Sequence, residues 1–335
     1  MKKRLSLLLL APILVACSEA TFSCSTLAFH SFFSCKYVSS RGECNKEIID
    51  MVNRIDALAD PYTNYGGNTL YYINSTNEPV EVEPHLFNLM KTALDLYEKT
   101  EHNFDPYIGK ITSLWKNTLF GDDEDMLFDG PSVSSIEEAK SLIPALLEEA
   151  RSTRVVLNES KSTIQRIGSG HIDLGGLTKG YSVEESERVL EKYKIEKYLI
   201  NGGQSSLGLG KSQDGGNFKV NLMYSKEENE NLFSLSKIDT STSAIYEQSV
   251  TVEGITYSHI INPNTGMPLS DYSMAFLSGE DSALLDAFSA SCMIAGPEKS
   301  EEWSKKYNFS YSLYEDVGGF TKLVKESESL TKARI

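Results

Sequence analysis

Residues 171–210 read HIDLGGLTKGYSVEESERVLEKYKIEKYLINGGQSSLGLG. The pattern predicts a strand, a glycine turn, an amphipathic helix, a second strand and a second glycine turn. Ile172 and Leu174 flank Asp173 in a short alternating run that Gly175-Gly176 breaks. Val183, Val189, Leu190 and Tyr193 then recur at helical spacing with acids between them. Tyr198-Leu199-Ile200 is a short apolar strand ending on Asn201-Gly202-Gly203. Glycine turns let backbone N–H groups approach an anionic ligand, and a helix start adds positive dipole. Lys179 sits at that helix start, where a cation is unfavourable unless an anion offsets it. An ordinary β-α-β unit with a surface lysine is the plainer reading. A P-loop is excluded because Ser205 stands where its first glycine belongs, and no G-x-G-x-x-G run opens a helix.

DLGGLTKGY followed by NGGQSSLGLG resembles the signature of the ApbE family, the FAD:protein FMN transferases. The first run departs from the family pattern at Thr178, where alanine or glycine is usual. The resemblance extends from about residue 47 to 295. Tyr65, with Tyr62 as second choice, resembles the tyrosine that stacks on the flavin, judged by distance from Asn74. An exposed turn tyrosine is the alternative. Phe104-Asp105-Pro106 resembles an FDP segment, with Asn103 in place of a small residue. Ser241-Thr242-Ser243-Ala244 matches an A-T-S-G turn, with Ala244 for its glycine. Residues 258–266, SHIINPNTG, resemble H-x-x-D-P-x-T-G, with Asn262 for the aspartate.

The chain of 335 residues is 40% hydrophobic and 24% charged, with a formal charge of −15. That is ordinary for a globular protein with a substantial core, and it argues against nucleic-acid binding through a basic face. Lys2-Lys3-Arg4 and the largely apolar residues 5–15 read as an export signal too short to span a bilayer. Leu14-Val15-Ala16-Cys17 has the form of a lipobox. The expected plan is a signal peptide at 1–16, a lipidated tether at 17–45 joined at Cys17, and one domain at 46–328. The protein is then exported and anchored by lipid to a bacterial cell membrane, periplasmic or outer surface. Cys24, Cys35 and Cys44 are clustered in the tether, and their spacing matches no zinc pattern.

Helices are predicted at 46–58 and 84–100, with another from Ser135 that Pro144 interrupts. Residues 121–130 read as an acidic, solvated and mobile loop. A hairpin is expected at 154–157 and 163–167, and strands at 218–224, 232–235, 249–252 and 255–261. The fold class is α+β, with a mixed sheet and packed helices. Residues 281–295 are apolar almost all round and predict a buried helix carrying Asp286. A buried carboxylate must be paired, metal-bound or protonated.

The resemblance implies FAD as substrate, lying across the two glycine turns against Tyr65, Asp173, Gly175, Gly176, Lys179, Asn201, Gly202, Gly203, Thr242, Ser243, His259 and Thr265. It implies Mg²⁺ held by Asp286, the Thr178 carbonyl and position 290. That position is Ala290 here and offers no oxygen, so Ser289 or Ser291 would have to replace it. His259 is the implied base, helping to deprotonate a Thr/Ser hydroxyl of an acceptor flavoprotein. The rival expectations are an FAD pyrophosphatase and a non-catalytic flavin-binding lipoprotein.

Overall fold

The computed structural model describes residues 19–40, 42–121, 130–223 and 231–335. The predicted leader, Cys17 and residues 122–129 of the acidic loop lie outside them. Eight strands, numbered along the chain, build the main sheet: β1 (Ala20–Ala28), β2 (Ser31–Ser39), β3 (Lys197–Gly202), β4 (Ser206–Leu209), β5 (Ile238–Ala244), β6 (Met274–Gly279), β7 (Ser310–Asp316) and β8 (Thr321–Glu326). They lie side by side in chain order, and every neighbouring pair is antiparallel. The α+β class therefore holds, with an antiparallel sheet in place of the mixed one.

The helices are α1 (Asn45–Ala59), α2 (Leu70–Ser75), α3 (Pro84–Lys99), α4 (Gly109–Phe120), α5 (Ile136–Ser152), α6 (Thr178–Lys192), α7 (Ser282–Ala295), α8 (Pro297–Tyr307) and α9 (Glu328–Ala333). Strand β6 is buried throughout because both sheet faces are covered. Its Ala275 and Leu277 join a core with Leu285 and Phe288 of α7, while Met274 and Phe276 pack on Phe233 and Leu330 on the other side. The all-round apolar α7 is buried as expected, capped by Asp281, whose Oδ1 accepts from the Leu284 N–H at 2.8 Å.

Three expectations are corrected. The segment read as a tether contains β1 and β2, a hairpin whose second strand pairs with β3. Phe33, Cys35 and Tyr37 alternate into the core. Serines and cysteines dilute that two-residue period, and the turn is Phe29-His30, both at positive φ, without the usual Asn-Gly. Residues 171–174 form no ladder. Asn74 clamps Ile172 there, donating to its carbonyl and accepting from its N–H, each at 2.8 Å. Finally, α5 runs unbroken through Pro144, which lies on the solvent side where no buried partner is lost.

Candidate active site

The first glycine turn is held from its start. The Asp173 N–H donates to the Pro106 carbonyl at 2.8 Å, and Asp173 Oδ1 accepts from the Gly175 N–H at 2.8 Å. Its other oxygen accepts from the Tyr62 hydroxyl at 2.7 Å. Gly175 and Gly176 are exposed, and a Cβ on Gly176 would press on the Phe104 ring at 3.2 Å. Helix α6 begins two residues later at the buried Thr178.

Gly180 makes the contact that joins α6 to α7. A Cβ there would stand 2.2 Å from the Ser282 carbonyl and 2.9 Å from Asp286 Cγ. Without one, the Gly180 N–H reaches Asp286 Oδ2 at 2.6 Å, and the Ser206 hydroxyl donates to Oδ1 at 2.6 Å. Burial raises the Asp286 pKa, while the bonds from Ser206, Ser241 and Gly180 and the nearby Lys179 ammonium oppose that rise. We expect Gly180→Ala to lower stability by at least about 1–3 kcal/mol, since backbone must move to admit the methyl. A thermal melt checks it, and an unchanged midpoint would mean the two helices separate freely.

The second turn faces the same place. Asn201 Oδ1 accepts from the Gln204 N–H at 2.7 Å, and Gly203 has φ +68°. A Cβ on Gly203 would lie 2.5 Å from Ser31 Oγ and 3.3 Å from Lys179 Cδ. Thr242 and Ser243 lie on β5. Ser243 Oγ is 2.7 Å from Ser289 Oγ, which Ser241 also reaches at 3.3 Å.

His259 is half-buried, with Nδ1 3.1 Å from the Gln248 carbonyl. That bond requires the proton on Nδ1 and leaves the Nε2 lone pair open. Burial pushes the imidazole down to about 4, and Lys116 and Lys179 push the same way. Lys116 lies over the Tyr62 ring, 5.2 Å from its centre. Asn262 Oδ1 caps the Asn264 N–H at 2.9 Å, a role that an amide fills as well as a carboxylate.

Lys179, Gly203, His259 and Asp286 are therefore gathered, with Asp173 tied to them through Tyr62 and Lys116. Tyr65 is 54% exposed and remains at the surface of its loop, whereas its rival Tyr62 is engaged with Asp173. Ala290 packs with the apolar neighbours of α7. Ser291 Oγ donates to the Ala287 carbonyl, so of the two neighbouring serines only Ser289 shares Ser241 with Asp286. Thr265 Oγ1 accepts from the Met267 N–H at 3.3 Å within its own turn. Asn74, Ser206 and Lys116 carry no motif that marks them as site residues in the sequence. Only the distance of Asn74 from the tyrosines hinted at a role, because the other two act through contacts remote in sequence. A cavity of about 930 Å³ lies elsewhere, lined by Glu184, Glu187, Lys211, Asp239 and Asp281 among others.

Among the described residues no group of three His, Cys, Asp or Glu side chains is placed to bind a metal. An oxygen-only set of one carboxylate, a backbone carbonyl and hydroxyls still fits Mg²⁺, which keeps several of its own waters. The Asp286 carboxylate offers about four lone-pair sites, more than the bonds from Gly180, Ser206 and Ser241 use.

The comparisons with known proteins agree with one another. The FAD:protein FMN transferase of Escherichia coli K12 is 23% identical over 266 residues, covering 78% of this chain and 73% of that protein. The Haemophilus influenzae protein of the same name is 21% identical over 344 residues, covering 96% and 95%. The flavin transferase ApbE of Vibrio cholerae superposes with a TM-score of 0.75 at 18% identity, covering 94% of this chain and all of that one. The ApbE protein of Thermotoga maritima gives 0.75 at 21% identity with the same coverage. Identities this low show the shared fold. The ApbE family model matches residues 29–312, well over half of the sequence, and the chain belongs to the ApbE family.

Proposed function

We propose that this chain transfers FMN from FAD to a Thr/Ser hydroxyl of a partner flavoprotein and releases AMP, with Mg²⁺ as cofactor. The observation that carries the reading is Asp286, a buried carboxylate on an apolar helix, held by Gly180 and Ser206 between the two glycine turns and beside Lys179. The acceptor oxygen attacks the FMN phosphorus, the pyrophosphate P–O bond breaks, and AMP leaves with the electron pair. Gly175, Gly176 and Gly203 leave room for phosphate oxygens near backbone, and Lys179 balances their charge. Asp286, the Thr178 carbonyl and Ser289 would hold Mg²⁺, which makes the phosphorus more electrophilic and stabilises the departing phosphate. Nε2 of His259 takes the hydroxyl proton.

Incubation with FAD, Mg²⁺ and a protein bearing an exposed Thr/Ser acceptor segment tests this. Covalently yellow acceptor with stoichiometric AMP supports it. Free FMN and AMP alone would make the chain an FAD pyrophosphatase, and no turnover would make it a flavin-binding protein.

We further propose that lipid on Cys17 anchors the protein to a bacterial membrane. No described helix is long and apolar enough to cross one. Full-length protein is expected in the membrane fraction and Cys17→Ser in the soluble fraction. Cys17→Ser protein still sedimenting with membranes would end this proposal.

A further inference from the structure

The hairpin that replaces the expected tether sets two cysteines face to face. In the β1–β2 register Cys24 stands directly opposite Cys35, so both side chains project from one face of the ladder. Cys35 is 1% exposed, while Cys24 is half-buried and reachable. The nearby Cys35 holds the Cys24 thiol below its usual range, while Cys24 and burial push Cys35 up. Cys44, 3% exposed in the same core, is held differently: it sits at the start of α1, with its N–H donating to the Tyr37 hydroxyl at 2.8 Å.

The turn fixes the kind of pairing. Two residues at positive φ, Phe29 and His30, connect the closing pair Ala28 and Ser31, as in a type I′ hairpin. That closing pair is hydrogen-bonded, and the character alternates along the ladder, so Cys24 and Cys35 are again a hydrogen-bonded pair. Such pairs have Cα atoms about 5.5 Å apart, inside the roughly 4.4–6.8 Å that a disulfide spans. Their Cβ atoms are also about 5.5 Å apart, wider than the ~3.8 Å a relaxed bridge prefers. A bridge can therefore close here only with strain, and strain makes it easy to reduce.

We propose that Cys24 and Cys35 are a reversible redox pair that closes to a cross-strand disulfide by exchange with a small-molecule disulfide. The Cys24 thiolate attacks one sulfur of that molecule, and its other half leaves as a thiolate. Cys35 then loses its proton, attacks Cys24 Sγ and displaces the remaining half. The oxidant gains two electrons and ends as two thiols, and the protein gains one S–S bond. Its position gives the bridge a consequence. Phe32 and Ser31 of the same hairpin underlie the second glycine turn: the Gly203 N–H donates to the Phe32 carbonyl at 3.2 Å, and Cys35 pairs with Ile200 of β3. The oxidation state thus sets how firmly that turn is backed.

The test equilibrates the full chain in mixtures of reduced and oxidised glutathione, blocks free thiols and maps peptides by mass spectrometry. The expected result is a Cys24–Cys35 linked peptide that half-forms within the glutathione range. It should persist in Cys44→Ser and vanish in Cys24→Ser. Amide exchange over residues 20–39 should slow about tenfold or more in the bridged form. Linkage of either residue to Cys44, glutathione left on Cys24 alone, or free Cys24 and Cys35 thiols in every mixture would each overturn the proposal. None of these readouts depends on the flavin reaction.

Discussion

Replacing Asp286 by asparagine is expected to cut Mg²⁺-dependent FAD turnover by roughly 10–100-fold or more, the loss typical when a metal shell is disturbed. Asparagine separates charge from packing. Its Oδ1 can accept the Gly180 N–H, and its amide can donate to Ser206 Oγ once that hydroxyl rotates. The folded state then keeps both contacts and sheds a carboxylate whose burial already disfavours its charge. The melting temperature should stay within a few degrees of the parent. Alanine behaves differently, because it leaves two buried donors without an acceptor at about 1–3 kcal/mol each. Calorimetric Mg²⁺ titration in the presence of FAD gives a readout independent of turnover. Undiminished Mg²⁺ affinity and activity in the asparagine variant would remove Asp286 from the site.

His259→Ala should slow transfer by about 10²-fold, the lower end of the 10²–10⁴ that general acid–base groups contribute. Two effects compete. An imidazole near 4 is a weak base, which limits what it can contribute. A loose phosphoryl-transfer transition state, however, asks for little deprotonation of the nucleophile before bond cleavage. FAD affinity should change far less than rate, because in the proposed reaction the ring acts through Nε2 while Nδ1 is committed to the Gln248 carbonyl. The sign of the pH dependence follows. A depressed pKa keeps the ring neutral and competent down to about pH 4, and its contribution is lost only as pH falls through that value. The transfer rate should show no inflection near 6.5. An inflection there that disappears in His259→Gln would show that the imidazole is solvated, not buried.

Local pattern was enough wherever one element or one short motif carried the information. The 3.6-residue periods of α1 and α3, the all-round apolar run of α7 and the 154–167 hairpin were legible because each buries a face or a whole surface of its own. Asp286 stood out as a lone acid in an apolar helix, and tertiary structure then gave it partners. Lys179, the glycine pairs and His259 were legible through motif spacing alone.

Other features depend on residues far apart in the chain. Tyr62 meets Asp173 across 111 positions, and Ser206 meets Asp286 across 80, so no window of sequence contains either contact. The sheet edge was missed for a related reason. Its strands scatter serine, threonine and cysteine among a few apolar residues, too weak a hydrophobic signal until β3 supplies the neighbouring ladder. Sequence by itself determined the helices α1, α3, α5, α6 and α7, the buried acid and the glycine turns, because local sterics and hydrophobic period act within a few residues. Only tertiary structure decided which tyrosine meets Asp173, which serine faces Asp286 and which two cysteines stand opposite each other, because register and helix contact are set by packing between distant segments.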